Sequence, residues 1–171
     1  MLAPKKQGLV KLMVLLFFLL LPGKIVPQTI RGESSLPNFN VKNLADVEVP
    51  SSRLAARSKW MLVYLEPNCG SCFGLLETLK QPETIPDLER KVVVIVAGAT
   101  ADEAQKIAEK NPWIPPQAWY ADRNKEAMSA LKLKGLPITI GFRKEHEEWR
   151  LAGFPKDGNA AQSILSSWCK E

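Results

Sequence analysis

Residues 60–80 read WMLVYLEPNCGSCFGLLETLK: an apolar run, two cysteines separated by two residues, and a second apolar stretch. The first six residues predict a buried strand, and the stretch from Phe73 to Lys80 predicts a helix. Cys69 therefore falls at a helix N-terminus, where unpaired backbone N–H groups and the positive end of the helix dipole stabilise a thiolate. Because the thiolate is the species that attacks disulfides, the pattern indicates redox chemistry at Cys69 and Cys72.

Two other interpretations of the cysteine pair stay open at this point. One is a purely structural disulfide, although a ring this small constrains little of the chain. The other is a zinc site of the Cys₃His kind that tetrahedral zinc favours. Its ligands would be the three cysteines and the single histidine, Cys69, Cys72, Cys169 and His146. Since His146 lies in the charged run 143–148, which predicts an exposed turn, we expect neither a metal nor another cofactor.

The N-terminal segment has the composition of a targeting sequence. Residues 1–11 carry three lysines and no acidic residue, and residues 12–21 are wholly apolar. This apolar run matches the core of a signal peptide and falls short of the roughly 20 residues that a straight membrane-spanning helix needs. A retained anchor stays open because Lys11 can extend its amine to the membrane surface. We therefore expect export to the periplasm or the outer face of the cell membrane, with 1–28 as a signal peptide or membrane anchor and 29–35 as a linker.

The formal net charge of +5 comes almost entirely from that segment. Residues 1–28 hold four lysines and no carboxylate, so the rest of the chain is close to neutral. Scattered cations on a nearly neutral domain do not indicate a nucleic-acid partner. The roughly 140 residues that follow are enough for one domain with its own core, which we place at residues 36–171.

The remainder of the sequence alternates predicted strands with predicted helices. Alternating apolar and polar residues predict a β-hairpin over 39–49, and serines at the start of 51–57 predict a capped helical turn. Further strands are predicted at 92–97, 117–121, 137–142 and 147–152, and further helices at 102–110, 124–133 and 160–170. This order predicts an α/β sandwich built around a mixed sheet.

Three features of the sequence coincide: the strand–CxxC–helix unit, Gly135-Leu136-Pro137 before a later strand, and a terminal hairpin followed by a helix. Together they resemble the thioredoxin fold. The lead-in at 36–52 and the inserted helix at 102–110 are similar to the exported TlpA/ResA type of thiol–disulfide oxidoreductase. The resemblance covers residues 36–171. It implies a thioredoxin-like three-layer α/β sandwich, in which helices flank a mixed central sheet, with an N-terminal β-hairpin extension.

The resemblance implies a role for each residue of these motifs. Cys69 is the expected attacking thiol, and Cys72 is the expected resolving thiol that breaks the mixed disulfide. Pro137 is expected to follow a cis peptide bond and to face the cysteine pair, while Leu136 is expected to offer its backbone to a substrate strand. The other substrate-binding candidates are Gly70, Ser71 and Trp113.

The sequence also departs from thioredoxin itself. Val63 occupies the position at which thioredoxin carries a buried aspartate, the proton acceptor for the resolving thiol. Glu66 is the nearby candidate for that role, and a solvated loop carboxylate is the alternative interpretation. Gly70 and Ser71 stand where reductants commonly carry a proline, which predicts a more flexible turn and an altered redox potential.

The remaining tryptophans and the third cysteine receive structural interpretations. Trp113 lies in the proline-bracketed loop 111–116 and is the one tryptophan that we assign to a substrate groove. The other four are expected to pack in the core, namely Trp60, Trp119, Trp149 and Trp168. Cys169 is expected to be a half-buried helix residue, with a regulatory or intermolecular bond as the alternative.

The resemblance implies an extracytoplasmic protein-disulfide reductase. Its expected partners are protein disulfides or thiols, among them the haem-site cysteines of apocytochrome c, and a membrane electron donor of the CcdA/DsbD type. The membrane itself is a partner if residues 1–28 are retained. An oxidase or isomerase that works in the opposite direction is the first alternative. A non-catalytic thioredoxin-fold binding module or metallochaperone is the second.

Overall fold

The computed structural model describes residues 34–80 and 91–153 together with Trp168. Within these ranges the strands are β1 (Asn40–Asn43), β2 (Glu48–Pro50), β3 (Lys59–Leu65), β4 (Val92–Ala97), β5 (Trp119–Asp122), β6 (Ile138–Arg143) and β7 (His146–Ala152). The helices are α1 (Ser51–Leu54), α2 (Gly70–Leu79), α3 (Ala101–Glu109) and α4 (Glu126–Ala130), and a short 3-10 helix spans Pro116–Ala118. None of these described helices is both long and apolar enough to cross a membrane.

The strands form one mixed sheet in the order β2-β1-β5-β4-β3-β6-β7. β3 runs parallel to β4, and β4 runs parallel to β5. The neighbours at both ends pair antiparallel: β1 with β2, β1 with β5, β3 with β6, and β6 with β7. The predicted mixed sheet and the predicted N-terminal β-hairpin are therefore confirmed.

Two apolar clusters cover the two faces of this sheet. Met61, Val63 and Leu65 point into one cluster, which also holds the buried residues of α2 and most of those of α3. The intervening residues of β3 point into the other cluster, beside the buried residues of α1 and α4. Because successive side chains of a strand alternate between faces, this division places helices on both sides of the sheet. The predicted three-layer sandwich is confirmed.

The tryptophans expected in the core are buried there. Trp60 stacks on Phe142 with ring centroids 4.5 Å apart, and its indole N–H donates to the carbonyl of Lys144. Trp119 is also fully buried. Trp168 packs edge-on against Trp149, with 5.4 Å between the ring centroids. These contacts fix the β6–β7 hairpin against the core.

Several predicted boundaries differ from the structure. The serine caps predicted for the first helical turn are wrong, because α1 begins after Pro50 without a side-chain cap. The hydroxyl of Ser51 instead donates to the carbonyl of Pro37 and accepts from the N–H of Phe39, which ties the lead-in segment to the helix. The strand predicted from residue 117 begins at Trp119, since the chain first completes the 3-10 turn.

The helix predicted over 124–133 is also shorter than expected. α4 spans only Glu126–Ala130, because Lys125 and Lys132 on either side of it adopt left-handed backbone conformations. A non-glycine residue with positive φ interrupts a right-handed helix. His146, predicted in a turn, is the first residue of β7 and is exposed.

Some predictions fall outside the described residues. They concern the signal or anchor at 1–28, the helix at 160–170 apart from Trp168, and Cys169. The described end of the predicted linker pairs with the β6–β7 hairpin, because Ser35 bridges His146 and the carbonyl of Ser34 accepts from the N–H of Glu147.

Gly141 provides a test of the packing between β6 and β7. A Cβ atom built on Gly141 would overlap the indole ring of Trp149, whereas one built on Gly74 in α2 meets nothing within 4 Å. We expect Gly141→Ala to lower the free energy of unfolding by about 1–3 kcal/mol through overpacking. Gly74→Ala is the matched control and should leave stability unchanged or raise it by up to about 1 kcal/mol, because alanine favours a helix. Urea denaturation of both variants measures the difference, and equal midpoints would contradict the overlap with Trp149.

Candidate functional site

The cysteine pair lies at the junction of β3 and α2. A short turn follows the strand, in which the N–H of Cys69 donates to the carbonyl of Glu66 at 3.3 Å. Cys69 is the N-cap of α2, and its Sγ accepts from the N–H of Cys72 at 3.2 Å. The predicted position of Cys69 at a helix N-terminus is therefore confirmed. The sulfur receives one of the backbone donors that a helix leaves unpaired at its start.

The two cysteines form a disulfide and differ in exposure. Cys72 is completely buried, whereas Cys69 is half-buried. Ser71 lies between them on the exposed side, with its Oγ 3.3 Å from the Sγ of Cys69. An incoming sulfur from solution can therefore reach Cys69 but not Cys72.

The loop before β6 carries the second predicted motif. The peptide bond between Leu136 and Pro137 is cis, the isomer expected from the resemblance, and Gly135 precedes it at a φ of 82°. Pro137 is buried, and its carbonyl accepts from the N–H of Gly153 at 2.8 Å. Leu136 is half-buried, so the loop has one anchored residue and one that solvent reaches.

Cys69 shares its apolar support with residues of other loops. Cys69, Phe73, Trp113 and Leu136 are all partly buried and pack against the same core cluster. The indole N–H of Trp113 is buried without a hydrogen-bond partner in the described part of the chain. We call these four residues the apolar rim. The structure thus seats Trp113 and Leu136, two of the predicted substrate-binding residues, on the same core cluster as Cys69.

Glu66 is held by an ion pair that the sequence did not predict. The amine of Lys125 lies 2.7 Å from its carboxylate, and both side chains are partly exposed. Lys125 takes up this position from the left-handed conformation that begins α4. Glu66 is thus a partly exposed carboxylate that is paired with Lys125 beside the cysteine turn.

A buried carboxylate, that of Asp122, holds the segment that carries Lys125. Asp122 is only 3 % exposed and accepts from the hydroxyl of Tyr64 at 2.7 Å. It also accepts from the N–H groups of Glu126 and Ala127, at 2.8 and 3.0 Å. Buried carboxylates are stable only when donors satisfy them, and Asp122 has three. Asp122 therefore fixes the start of α4 relative to β3 and, through it, Lys125.

Sequence reasoning missed this network. Its one signal was an acidic residue at the end of an apolar stretch, directly before a predicted helix, which is a pattern typical of capping. Tyr64 gave no signal, because it reads as an ordinary member of an apolar strand. Val63, the residue in place of the thioredoxin aspartate, is buried in the core.

No group of three or more His, Cys, Asp or Glu side chains in the described ranges could hold a metal ion. His146 is exposed at the start of β7, and the two bonded cysteines lie at the start of α2. Cys169, the remaining ligand of the zinc interpretation, lies outside the described residues.

The comparisons with known proteins bear on the fold. Neither a protein-family model nor a curated protein matches the sequence. Solved structures do match. A thioredoxin-like protein from Porphyromonas gingivalis superposes with a TM-score of 0.63 at 19% identity, over 80% of this chain and 92% of that one. The chain has the thioredoxin fold.

Two further structures with the thioredoxin fold are similar to this chain. A proposed thiol:disulfide interchange protein DsbE from Chlorobium tepidum has a TM-score of 0.59 at 20% identity, covering 80% of this chain and 96% of that one. A secreted disulfide oxidoreductase from Mycobacterium tuberculosis, homologous to E. coli DsbE, has a TM-score of 0.58 at 15% identity, covering 77% and 94%. The predicted thioredoxin-like architecture is confirmed.

The network beneath the cysteine turn makes a prediction about alkaline pH. Burial, followed by the hydrogen bond to Asp122, raises the pKa of Tyr64 well above its ordinary value of about 10. A raised pKa in the folded state means that the protonated tyrosine stabilises the fold below pH about 10. That contribution is lost as the pH rises further.

We therefore expect Tyr64→Phe to flatten the fall in unfolding free energy above pH about 10. Urea denaturation at a series of pH values measures that fall. Tyr120→Phe is the comparison and should flatten the fall less, because burial alone raises the pKa of Tyr120, whereas Tyr64 also donates a hydrogen bond to Asp122. A decline in Tyr64→Phe as steep as in the unaltered protein would contradict this account.

Proposed function

We propose that this chain is an extracytoplasmic thiol–disulfide oxidoreductase that reduces protein disulfides through Cys69 and Cys72. The observation that carries the proposal is the unequal exposure of two bonded sulfurs at the start of α2. One sulfur is open to a substrate and receives a helix N–H, while its partner is enclosed. Disulfide exchange needs one accessible attacking thiolate and one protected thiol close enough to resolve the intermediate.

The first step would begin from the reduced pair. The Cys69 thiolate attacks one sulfur of a substrate disulfide, so that a new S–S bond forms between Cys69 and the substrate. The substrate disulfide breaks at the same time, and its other sulfur leaves as a thiolate. The N–H of Cys72 and the helix dipole favour the negative charge on Cys69 before the attack.

The second step would release the substrate. Cys72 loses its proton, attacks the Sγ of Cys69 and displaces the second substrate thiolate. The pair is then the disulfide seen in the structure, and two electrons have passed to the substrate. Glu66 is the group that we assign as proton acceptor for Cys72. Its backbone carbonyl already accepts from Cys69, and Lys125 holds its carboxylate next to the turn.

The substrate would lie across the surface that surrounds Cys69. Gly70 and Ser71 form its exposed floor, and Leu136, Pro137 and Trp113 are the other residues that we assign to it. The apolar rim suits an extended peptide with apolar side chains beside its cysteine. Leu136 would pair with the backbone of that peptide as an added strand.

Support for the reducing direction comes from the charges near the pair. The first turn of α2 contains no charged residue, and the cation Lys125 is already paired with Glu66. Strongly oxidising pairs depend on extra stabilisation of the thiolate, often from neighbouring cations. A reductant at this site would need an electron donor, which we propose to be a membrane protein of the CcdA/DsbD type. Exported disulfides, including those of apocytochrome c, are its proposed substrates.

Substitutions at three residues separate the proposed steps. Cys69→Ser should abolish reduction of a model protein disulfide such as insulin, because no attacking thiol remains. Cys72→Ser should stop after one turnover and accumulate a mixed disulfide at Cys69, visible by mass spectrometry. Glu66→Gln should still form the mixed disulfide at the normal rate but resolve it more slowly, by about 10- to 100-fold. Single-turnover kinetics measures the two rates independently.

The control for these variants is Glu77→Gln, an exposed position on the far part of α2 that should leave both rates unchanged. Retained turnover by Cys69→Ser would exclude the mechanism. A mixed disulfide that forms at Cys72 instead of Cys69 would reverse the two roles. Unaltered resolution in Glu66→Gln would remove only the proton acceptor from the account.

The reduction potential of the pair tests the direction of electron flow. Equilibration of the protein with glutathione buffers should give a value close to or below the potential of about −270 mV that thioredoxin has. A value near about −120 mV would mean that the protein introduces disulfides, which is the oxidase alternative. Stoichiometric copper or zinc in the purified protein, with no exchange activity, would instead support the metallochaperone alternative.

A further inference from the structure

Basic side chains gather at one end of the sheet, where β3 and β4 begin and β6 turns into β7. The cations there are Arg57, Lys59, Lys91, Arg143 and Lys144, and the carboxylates of Glu145 and Glu148 lie among them. Arg143 is paired with Glu148, so this pair contributes no net charge. The other four cations face a single carboxylate, which leaves this end of the sheet with a surplus of positive charge.

The fold brings these cations together from distant parts of the sequence. Lys59 lies opposite Arg143 in the antiparallel pairing of β3 with β6. The guanidinium group of Arg57 donates to the carbonyl of Val92, the first residue of β4, at 2.9 Å. The positive end of the sheet is therefore fixed by strand pairing and by a hydrogen bond to the backbone.

An open groove of about 420 Å³ lies at this end, between the segment before β3 and the β6–β7 turn. We call it the basic groove. Arg57, Lys144 and His146 line it together with Glu145. The N–H of Lys144 donates to the carbonyl of Ser58 at 2.9 Å, which joins the two walls. Within the described ranges no carboxylate is paired with Arg57 or Lys144, so their charges are available to an anionic surface.

The opposite end of the sheet carries the opposite charge. A larger groove of about 700 Å³ lies where β4 and β5 end. Its lining has an excess of carboxylates over cations, namely Asp46, Glu48, Asp102, Asp122 and Glu126 against Lys42 and Arg123. Cys69 follows the end of β3, which runs parallel to β4, and so lies at this end as well. An anionic surface would attract one end of the domain and repel the other.

The chain enters the domain beside the basic groove. The carbonyl of Ser34 accepts from the N–H of Glu147 at 3.0 Å, and the N–H of Leu36 donates to the carbonyl of Glu145 at 2.7 Å. Residues 22–33 separate this entry from the apolar run 12–21. A segment of that length reaches at most about 45 Å. With the apolar run held in a membrane, the domain stays close enough to the surface for a weak attraction to orient it.

We propose that the basic groove docks on an anionic membrane surface, with residues 1–28 retained as the anchor. Each lysine or arginine near such a surface strengthens binding only about fivefold, so the docking needs the anchor and is reversible. In the docked domain β3 points away from the bilayer. A strand of this length spans roughly 20 Å, which holds Cys69 clear of the lipid headgroups and open to proteins in solution. This inference concerns the orientation of the domain and does not depend on the proposed redox reaction.

The test measures which end of the domain meets the lipid. The full chain is inserted into nanodiscs of phosphatidylcholine alone, or of phosphatidylcholine with about one third phosphatidylglycerol as the anionic lipid. Both discs contain a trace of a phospholipid with a photoactivatable headgroup. After irradiation, mass spectrometry compares lipid cross-links to residues 55–59 and 143–146 with those to residues 121–126 at the opposite end. Because the anchor brings both ends near lipid in either disc, the ratio of the two reports orientation.

We expect this ratio to be at least about fivefold higher in the anionic discs. High salt should abolish the rise, because the Debye length shortens to about 3 Å at 1 M. Lys144→Glu should remove most of the rise. Lys132→Glu is the matched control and should retain it, since Lys132 and Lys144 are both exposed lysines with left-handed backbones, at φ of 52° and 53°, and Lys132 lies outside the basic groove.

Equal ratios for the unaltered protein in the two discs would overturn the inference without any variant. So would a loss in Lys132→Glu as large as that in Lys144→Glu, because net charge and not the basic groove would then be responsible. Abolition of the rise by inorganic phosphate at constant ionic strength would mean that the groove binds a discrete anion in place of the membrane. A full chain that does not stay with the discs has no anchor, which would also overturn the docking.

Discussion

The passage from β3 into α2 is the constraint on which the rest of this structure depends. β3 is enclosed on both faces and pairs with β4 on one side and β6 on the other. The chain leaves this strand through a short turn and begins α2 directly at the cysteine pair. Cys69 is therefore placed by a rigid strand, a helix N-terminus and a backbone hydrogen bond. Reactive groups held by regular elements keep their geometry better than groups on free loops.

The second support of the site crosses the sheet. Tyr64 on β3 reaches past β4 to Asp122 at the end of β5, and Asp122 in turn holds the first N–H groups of α4. A buried carboxylate with three donors resists displacement, because each lost donor leaves an unsatisfied charge. The β1–β2 hairpin and β5, which lie beyond β4 in the sheet, are thus coupled to β3, the strand that leads into the cysteine pair. Lys125 reaches Glu66 only because this network fixes where α4 begins.

The sequence was most informative where local pattern and burial agree. Runs such as Val92–Ala97 predict buried strands, because their composition and length fit few other elements. The strand–CxxC–helix unit, the mixed sheet and the two-sided core all follow from such runs. The missed features depend on contacts between distant residues. Ser51 caps no helix because Pro37 and Phe39 take its hydroxyl. The helix predicted from residue 124 begins only after Lys125, which has a left-handed backbone and forms an ion pair with Glu66. Secondary-structure propensities of single residues do not encode contacts with such distant partners.

Among the described residues, the groups that contact the sulfur of Cys69 are dipoles and not charges. Cys69 accepts from an amide and a hydroxyl at the positive end of a helix, while the nearby cation and carboxylate neutralise each other. Fixed dipoles in a half-buried site are screened by salt far less than charges in solution are. A thiolate stabilised in this way keeps its reactivity across ionic strengths.

The paired Glu66 and Lys125 add no net charge that would attract or repel a charged substrate, so recognition would rest on the apolar rim and on backbone pairing.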